Sequence, residues 1–251
     1  MHRRILIVTA VAAEADSVAG GLADGPARPA AELPVPGGLL LRRYEDGDGP
    51  AGVDVLVGGV GPAAVAAATG AALTRAALAG EPYRLVVSAG IAGGFPGRAP
   101  LGSLVVSDAI VAADLGADTP DGYVPVDALG FGRSVHRVPD ALTGPVAAAL
   151  ATAGLPHTTG AVLTVSTVTG TAARADELAA RHPGAAAEAM EGFGVAEAAA
   201  AHGTPVLELR AVSNAVGPRD RAAWRIGDAL AALRRAVTAL EPTLSEARPC
   251  S

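Results

Sequence analysis

Apolar positions fall along the chain in short β-branched runs separated by longer alanine-rich stretches, a pattern that predicts strands alternating with helices. Residues 4–10, RILIVTA, read as a buried strand at the start. Further strands are expected at 39–44, 53–57, 85–88, 104–112, 160–168 and 205–213. Helices are expected at 63–79, where Pro62 stands near the start, and at 139–153, 171–181, 190–202 and 220–240. Residues 20–38, rich in Pro and Gly, read as a loop or irregular edge. Residues 114–137, rich in Gly, Asp and Pro, read as an insertion or a lid over a site. Several strands follow one another in the first half, so the expected fold is a three-layer α/β/α sandwich around a mixed central sheet. No stretch has the composition of a linker and no repeat is visible, which makes residues 1–251 one expected domain.

Composition narrows the function. Half of the 251 residues are hydrophobic but only 3% are aromatic, so the core is aliphatic and stacking platforms for single-stranded nucleic acid are not expected. A formal net charge of -6 argues against a nucleic-acid or anionic-membrane partner. No apolar run reaches membrane-spanning length unbroken and no cleavable leader is recognised, so a cytoplasmic protein is expected. The lone cysteine, Cys250, excludes a disulfide framework. His2, His136, His157, His182 and His202 show no metal-ligand spacing, so no metal site is expected. All basic residues are Arg, and the chain has no Lys, no Gln and a single Asn, Asn214.

Two glycine clusters follow strands. Gly59-Val60-Gly61-Pro62-Ala63-Ala64 begins like a dinucleotide fingerprint but carries Ala at its third glycine position. The run 88–94, SAGIAGG, leads into Phe95-Pro96-Gly97 rather than a helix, and no Gly-Lys-Ser/Thr follows either cluster. Nucleotide-phosphate binding is therefore not expected. The second run has two readings, a tight turn between strands or bare backbone against a flat ring. Glu14, just past the first strand, is either an acid favoured by a helix N-terminus or a functional carboxylate, and the same choice applies to Glu191 after Met190. Asn214 follows a strand, where an amide can cap a turn or face a ligand at the sheet's carboxyl end.

Taken in order, Ala13-Glu14-Ala15, Gly59-Val60-Gly61, the run 88–94, Glu188-Ala189-Met190-Glu191-Gly192 and Arg210-Ala211-Val212-Ser213-Asn214 resemble the nucleoside phosphorylase and nucleosidase superfamily. The nearest part of it is the hydrolase branch that contains methylthioadenosine/adenosylhomocysteine nucleosidase. Within that branch, the run 213–221, SNAVGPRDR, with Trp224-Arg225-Ile226 and the upstream 167–171, TVTGT, resembles the futalosine hydrolase family. The resemblance implies release of hypoxanthine from futalosine on a route to menaquinone, with no metal or organic cofactor. It implies that Glu14 is the base that takes a proton from water, that Glu191 binds the ribose hydroxyls and that Met190 packs on the sugar. Backbone at Ala92 and Gly93 would face the purine, and Asn214 would hold its O6/N7 edge. Adenine-specific relatives carry Asp where Asn214 stands. An amide can donate to a 6-oxo oxygen and accept from a protonated N7, so the swap favours a 6-oxopurine. Phosphorylases of the superfamily gather arginines in the glycine loops; residues 58–61 and 88–94 have none, which points to water as nucleophile. The benzoate on the 5′ side of futalosine calls for a cation or hydroxyl donors, and the spacing selects neither Arg133 nor Arg137 for it. Arg219, Asp220, Arg221 and Trp224 read as an ion-paired turn before the last helix. A homodimer or larger homo-oligomer is expected by the same resemblance. The other readings are an adenine-type nucleosidase, a phosphorylase, and a non-catalytic purine-nucleoside binding protein.

Overall fold

The computed structural model describes residues 3–46 and 51–246; His2 and Cys250 lie outside them. The elements are β1 (Arg3–Thr9), α1 (Ala12–Asp24), β2 (Ala27–Val35), β3 (Leu39–Asp46), β4 (Ala51–Val57), α2 (Pro62–Leu78), β5 (Leu85–Gly94) and β6 (Leu104–Ala112). They continue with β7 (Gly116–Thr119), β8 (Gly122–Pro125), β9 (Val135–Arg137), α3 (Asp140–Thr152), β10 (His157–Thr164) and α4 (Ala172–Arg181). The last are β11 (Ala185–Ala189), α5 (Gly192–Ala201), β12 (Val206–Ala215) and α6 (Ile226–Glu246).

The main sheet runs β11-β10-β6-β12-β5-β1-β4-β3-β2. It is mixed as expected: β1 lies parallel to β4 and β5, while β12 is parallel to β5 and antiparallel to β6. Both faces are buried, so β1 is apolar at every position from Ile5 to Val8 rather than alternating. Ile5 and Ile7 pack with α1, α3 and α6 on one face, and Leu6 and Val8 pack with α2 and α5 on the other. β11 also pairs antiparallel with β5, which curls β5, β12, β6, β10 and β11 into a closed ring. Ala92, Ala99, Ala186, Ala187 and Ala189 cluster there with three valines, small side chains where strands crowd.

Four expectations are corrected. Residues 27–35 form a strand; its pairing with β3 shifts register between Pro29 and Ala31, and β2 ends the sheet order. Proline is tolerated there because an edge strand need not donate on its outer side. The run 88–94 is extended strand, not a turn. Its glycines allow close approach, since a Cβ on Gly94 would lie 2.2 Å from Ala99 O. The segment 114–137 is a β7-β8 hairpin leading to β9, and none of its residues lines the cavity described below. The last helix starts at Ile226 rather than 220, after a 3₁₀ turn at Arg221–Ala223 in which Asp220 accepts from Ala222 N. Among the described residues, no helix is long and apolar enough to cross a membrane.

Candidate active site

A cavity of about 260 Å³ opens at the carboxyl ends of β1, β5 and β12. In open α/β folds ligands bind at such strand ends. Glu14, Ala92, Gly93, Met190, Glu191 and Asn214, distant in sequence, all line it.

Glu14 sits in the first turn of α1 with its carboxylate folded back over the end of β1. Its Oε2 accepts from Ala10 N (2.9 Å) and Val11 N (3.3 Å), and its Oε1 accepts from Ile91 N (2.8 Å). Three backbone donors therefore fix a carboxylate that is only 3% exposed. Gly90 makes this possible: a Cβ there would fall 2.5 Å from Glu14 Oε1 and 2.7 Å from Arg210 Nη1.

Glu191 is the N-cap of α5, so Met190 and Glu191 precede the helix rather than begin it. Its Oε1 accepts from Gly61 N (3.3 Å), and its Oε2 accepts from Met190 N (3.3 Å) and Arg210 Nη1 (3.2 Å). Gly61 has φ of 90°, a left-handed conformation that side chains disfavour; it is the N-cap of α2, and this loop turns its N–H toward Glu191.

Arg210 organises this floor. It is buried, with Nε donating to Glu208 Oε1 (2.9 Å), Nη1 to Glu191 and Nη2 to Ser88 Oγ (3.1 Å). Burial opposes its charge, but the carboxylates of Glu208, Glu191 and Glu14 outweigh that and hold its pKa above the ordinary value. Burial raises Glu208, with Arg210 pulling the other way. Arg210 was legible only as part of a motif. No local signal marks a strand arginine as the hub of carboxylates from three separate elements.

Asn214 ends β12. Its Nδ2 donates to Ala215 O (2.9 Å), and its Oδ1 accepts from Ser213 Oγ (2.8 Å). The Ala215 carbonyl can only accept, which fixes which end of the amide is NH2. One Nδ2 hydrogen and one Oδ1 lone pair remain for a ligand.

Sequence reasoning left Arg219 and Trp224 to structure, yet both line the cavity. Among the described residues no ion pair joins Asp220 to either neighbouring arginine; the Arg219 and Arg221 guanidiniums lie instead 5.3 and 5.8 Å from the centre of the Trp224 ring. Arg133 pairs instead with Glu197, and neither Arg133 nor Arg137 reaches the cavity lining. Among the described residues no group of three or more metal-ligating side chains is brought together.

Residues 4–246 match the model of the Phosphorylase superfamily. A futalosine hydrolase of Streptomyces coelicolor is 62% identical over 249 residues, covering 99% of each chain. A futalosine hydrolase of Acidothermus cellulolyticus is 49% identical over 244 residues, covering 96% of this chain and 91% of that one. The chain belongs to the phosphorylase superfamily and, within it, to the futalosine hydrolase family. Solved structures share the fold. Futalosine hydrolase of Helicobacter pylori superposes with a TM-score of 0.79 at 17% identity, covering 97% of this chain and 99% of that chain. A 5′-methylthioadenosine/S-adenosylhomocysteine nucleosidase from Colwellia psychrerythraea, in complex with adenine, gives 0.80 at 20% identity over 97% and 96% of the two chains. The ordered motifs thus led to the family, and the mixed α/β architecture is the one these structures have.

Proposed function

We propose that this chain hydrolyses the N-glycosidic bond of futalosine, releasing hypoxanthine and leaving the dehypoxanthinyl sugar for menaquinone synthesis. The observation that carries this reading is one cavity holding two fixed carboxylates and an oriented amide, in a chain 62% identical to a futalosine hydrolase. Glu14 takes a proton from a water beneath C1′ as that water bonds to C1′, and the electron pair of the C1′–N9 bond leaves with the base. The same carboxylate faces the positive charge that develops on the sugar. Glu191, held by Arg210 and two backbone N–H groups, accepts from the ribose hydroxyls, and Met190 packs on the ring. Asn214 donates its free Nδ2 hydrogen to O6 and accepts from N7–H of the departing base. An amide has no proton to give, so N7 takes its proton from solvent.

Water rather than phosphate is the nucleophile in this reading. Among the described residues lining the cavity the only guanidinium is that of Arg219, exposed at the mouth, while Arg210 is engaged by carboxylates behind the floor. The reading takes residues 1–251 as one catalytic domain acting in the cytoplasm, supported by a family match that spans residues 4–246. It also takes a homo-oligomer as the working form. Val11, Val60, Val168 and Ile226 at the cavity mouth are 41 to 55% exposed, and Phe131 on the segment after β8 is 82% exposed; a second copy would cover such apolar side chains.

The test follows purine release from futalosine, aminodeoxyfutalosine, inosine and methylthioadenosine by chromatography, with and without phosphate. Hypoxanthine from futalosine, indifferent to phosphate, is the expected result. Adenine release, a phosphate requirement, or binding without turnover would each replace the reading with one of its rivals.

A further inference from the structure

Besides Glu14 and Glu191, a third carboxylate lines the cavity, Glu188, and the mechanism above gives it no task. It is 4% exposed, on β11 where that strand closes against β5. Gly93 of β5 pairs with Glu188 on one side and with Asn214 of β12 on the other. Directly paired residues send their side chains to the same face of a sheet. Two strand spacings of about 4.8 Å set the Glu188 and Asn214 Cα atoms roughly 10 Å apart, with the bare backbone of Gly93 between them. A flat base lying over Gly93 therefore has Asn214 at one flank and Glu188 at the other.

The Glu188 carboxylate is oriented as an acceptor. Thr169, which also lines the cavity, donates its backbone N–H to Oε1 (2.9 Å) and its hydroxyl to Oε2. Each oxygen keeps a second lone pair. The Thr169 N–H is a donor on this flank that could serve an unprotonated ring nitrogen, and it is already spent on Glu188.

We propose that Glu188 accepts the N1–H of a 6-oxopurine and is a second specificity-determining residue of the base site, opposite Asn214. The assignment rests on the reading that a purine occupies this cavity. A 6-oxopurine carries hydrogen on N1, whereas a 6-aminopurine presents a lone pair there, so a carboxylate is matched to the first and opposed to the second. Asn214 and Glu188 together read the pair O6 and N1–H, an acceptor beside a donor. The 6-amino base reverses both, and a buried polar site rejects a reversed pattern far more strongly than a missing methyl. Burial raises the Glu188 carboxyl, the Thr169 bonds and the Arg174 charge lower it, and Asp114 raises it further. An N1–H delivered to the site favours the ionised form.

The experiment is calorimetric binding of free hypoxanthine and adenine to the wild type, Glu188→Gln and Glu188→Asp. Glu188→Gln, whose amide offers a donor on this flank, is expected to lose at least about tenfold of the preference for hypoxanthine, while Glu188→Asp keeps its sign. Equal weakening toward both bases in Glu188→Gln, the outcome of a merely structural role, overturns the assignment. If Glu188→Gln does not fold, the wild type is titrated with 1-methylhypoxanthine, which keeps O6 but has no N1–H. Affinity equal to that for hypoxanthine overturns the proposal, and a loss of about tenfold or more supports it. Base binding needs no turnover. Failure to hydrolyse futalosine with the Glu188-dependent preference intact sinks the hydrolase reading alone, and turnover without that preference sinks this assignment alone.

Discussion

Glu14 is fixed by three backbone N–H groups and so is placed by the main chain rather than by its own rotamer freedom. Glu14→Gln keeps the shape and loses the basicity. Turnover should fall by about a hundredfold or more, the usual scale for general-base removal, with the melting temperature little changed. A purified variant that kept a third of the wild-type rate would rule Glu14 out as the base. Asn214→Asp exchanges the free donor for an acceptor. The ratio of rates on 6-amino and 6-oxo nucleosides should rise, and an unchanged ratio would remove Asn214 from base recognition. Gly90→Ala tests the space that both charged groups use. With a Cβ 2.5 Å from Glu14 Oε1 and 2.7 Å from Arg210 Nη1, both must shift. Misplacement of a reacting group on that scale costs about a hundredfold in rate. Circular dichroism would confirm that the fold remains.

At the scale of elements, β12 contributes most, because alternate residues of one strand serve different neighbours. Glu208 and Arg210 build the ion cluster beneath the floor, and Ser213 and Asn214 reach the cavity at the strand end. The loop from β10 to α4 brings Thr169 to Glu188, and α4 is begun by Thr171, whose side chain accepts from Arg174 N (3.2 Å). Thr171→Ala removes that cap and should destabilise the protein by about 1 kcal/mol, read as a lower urea midpoint at unchanged slope. An unaltered midpoint would mean that α4 is held by packing alone. β11 shows where local signals fail. Its sequence, AAAEA, has poor strand propensity, yet all five residues are buried between β10 and β5. Pairing on both sides overrides propensity there.

For the whole molecule, the segment expected to cover the site does not reach the cavity of its own chain. It exposes Leu115, Leu129 and Phe131 instead, at 45, 37 and 82%. A homodimer or larger homo-oligomer in sedimentation is the expected state, and Phe131→Ser should shift it toward monomer. Monomeric wild type at micromolar concentration would remove the oligomer from the functional reading.

β1 and β6 were legible as short β-branched apolar runs, α2 as a long alanine-rich stretch behind Pro62, and β12 as a mostly apolar run; all four were anticipated within a few positions. Glu14, Met190, Glu191 and Asn214 could be singled out because the motifs around them are local and occur in a recognisable order. The sequence alone therefore determined the mixed α/β class, the family resemblance and the residues most exposed to chemical suspicion. The tertiary structure decided what those residues touch. Gly90 clears space for Glu14, Arg210 binds Glu191 and Glu208, and Gly93 lies between Glu188 and Asn214, because strands far apart in the chain are paired in one register. A linear pattern encodes which face of an element is buried; register across a sheet depends on every neighbouring strand at once.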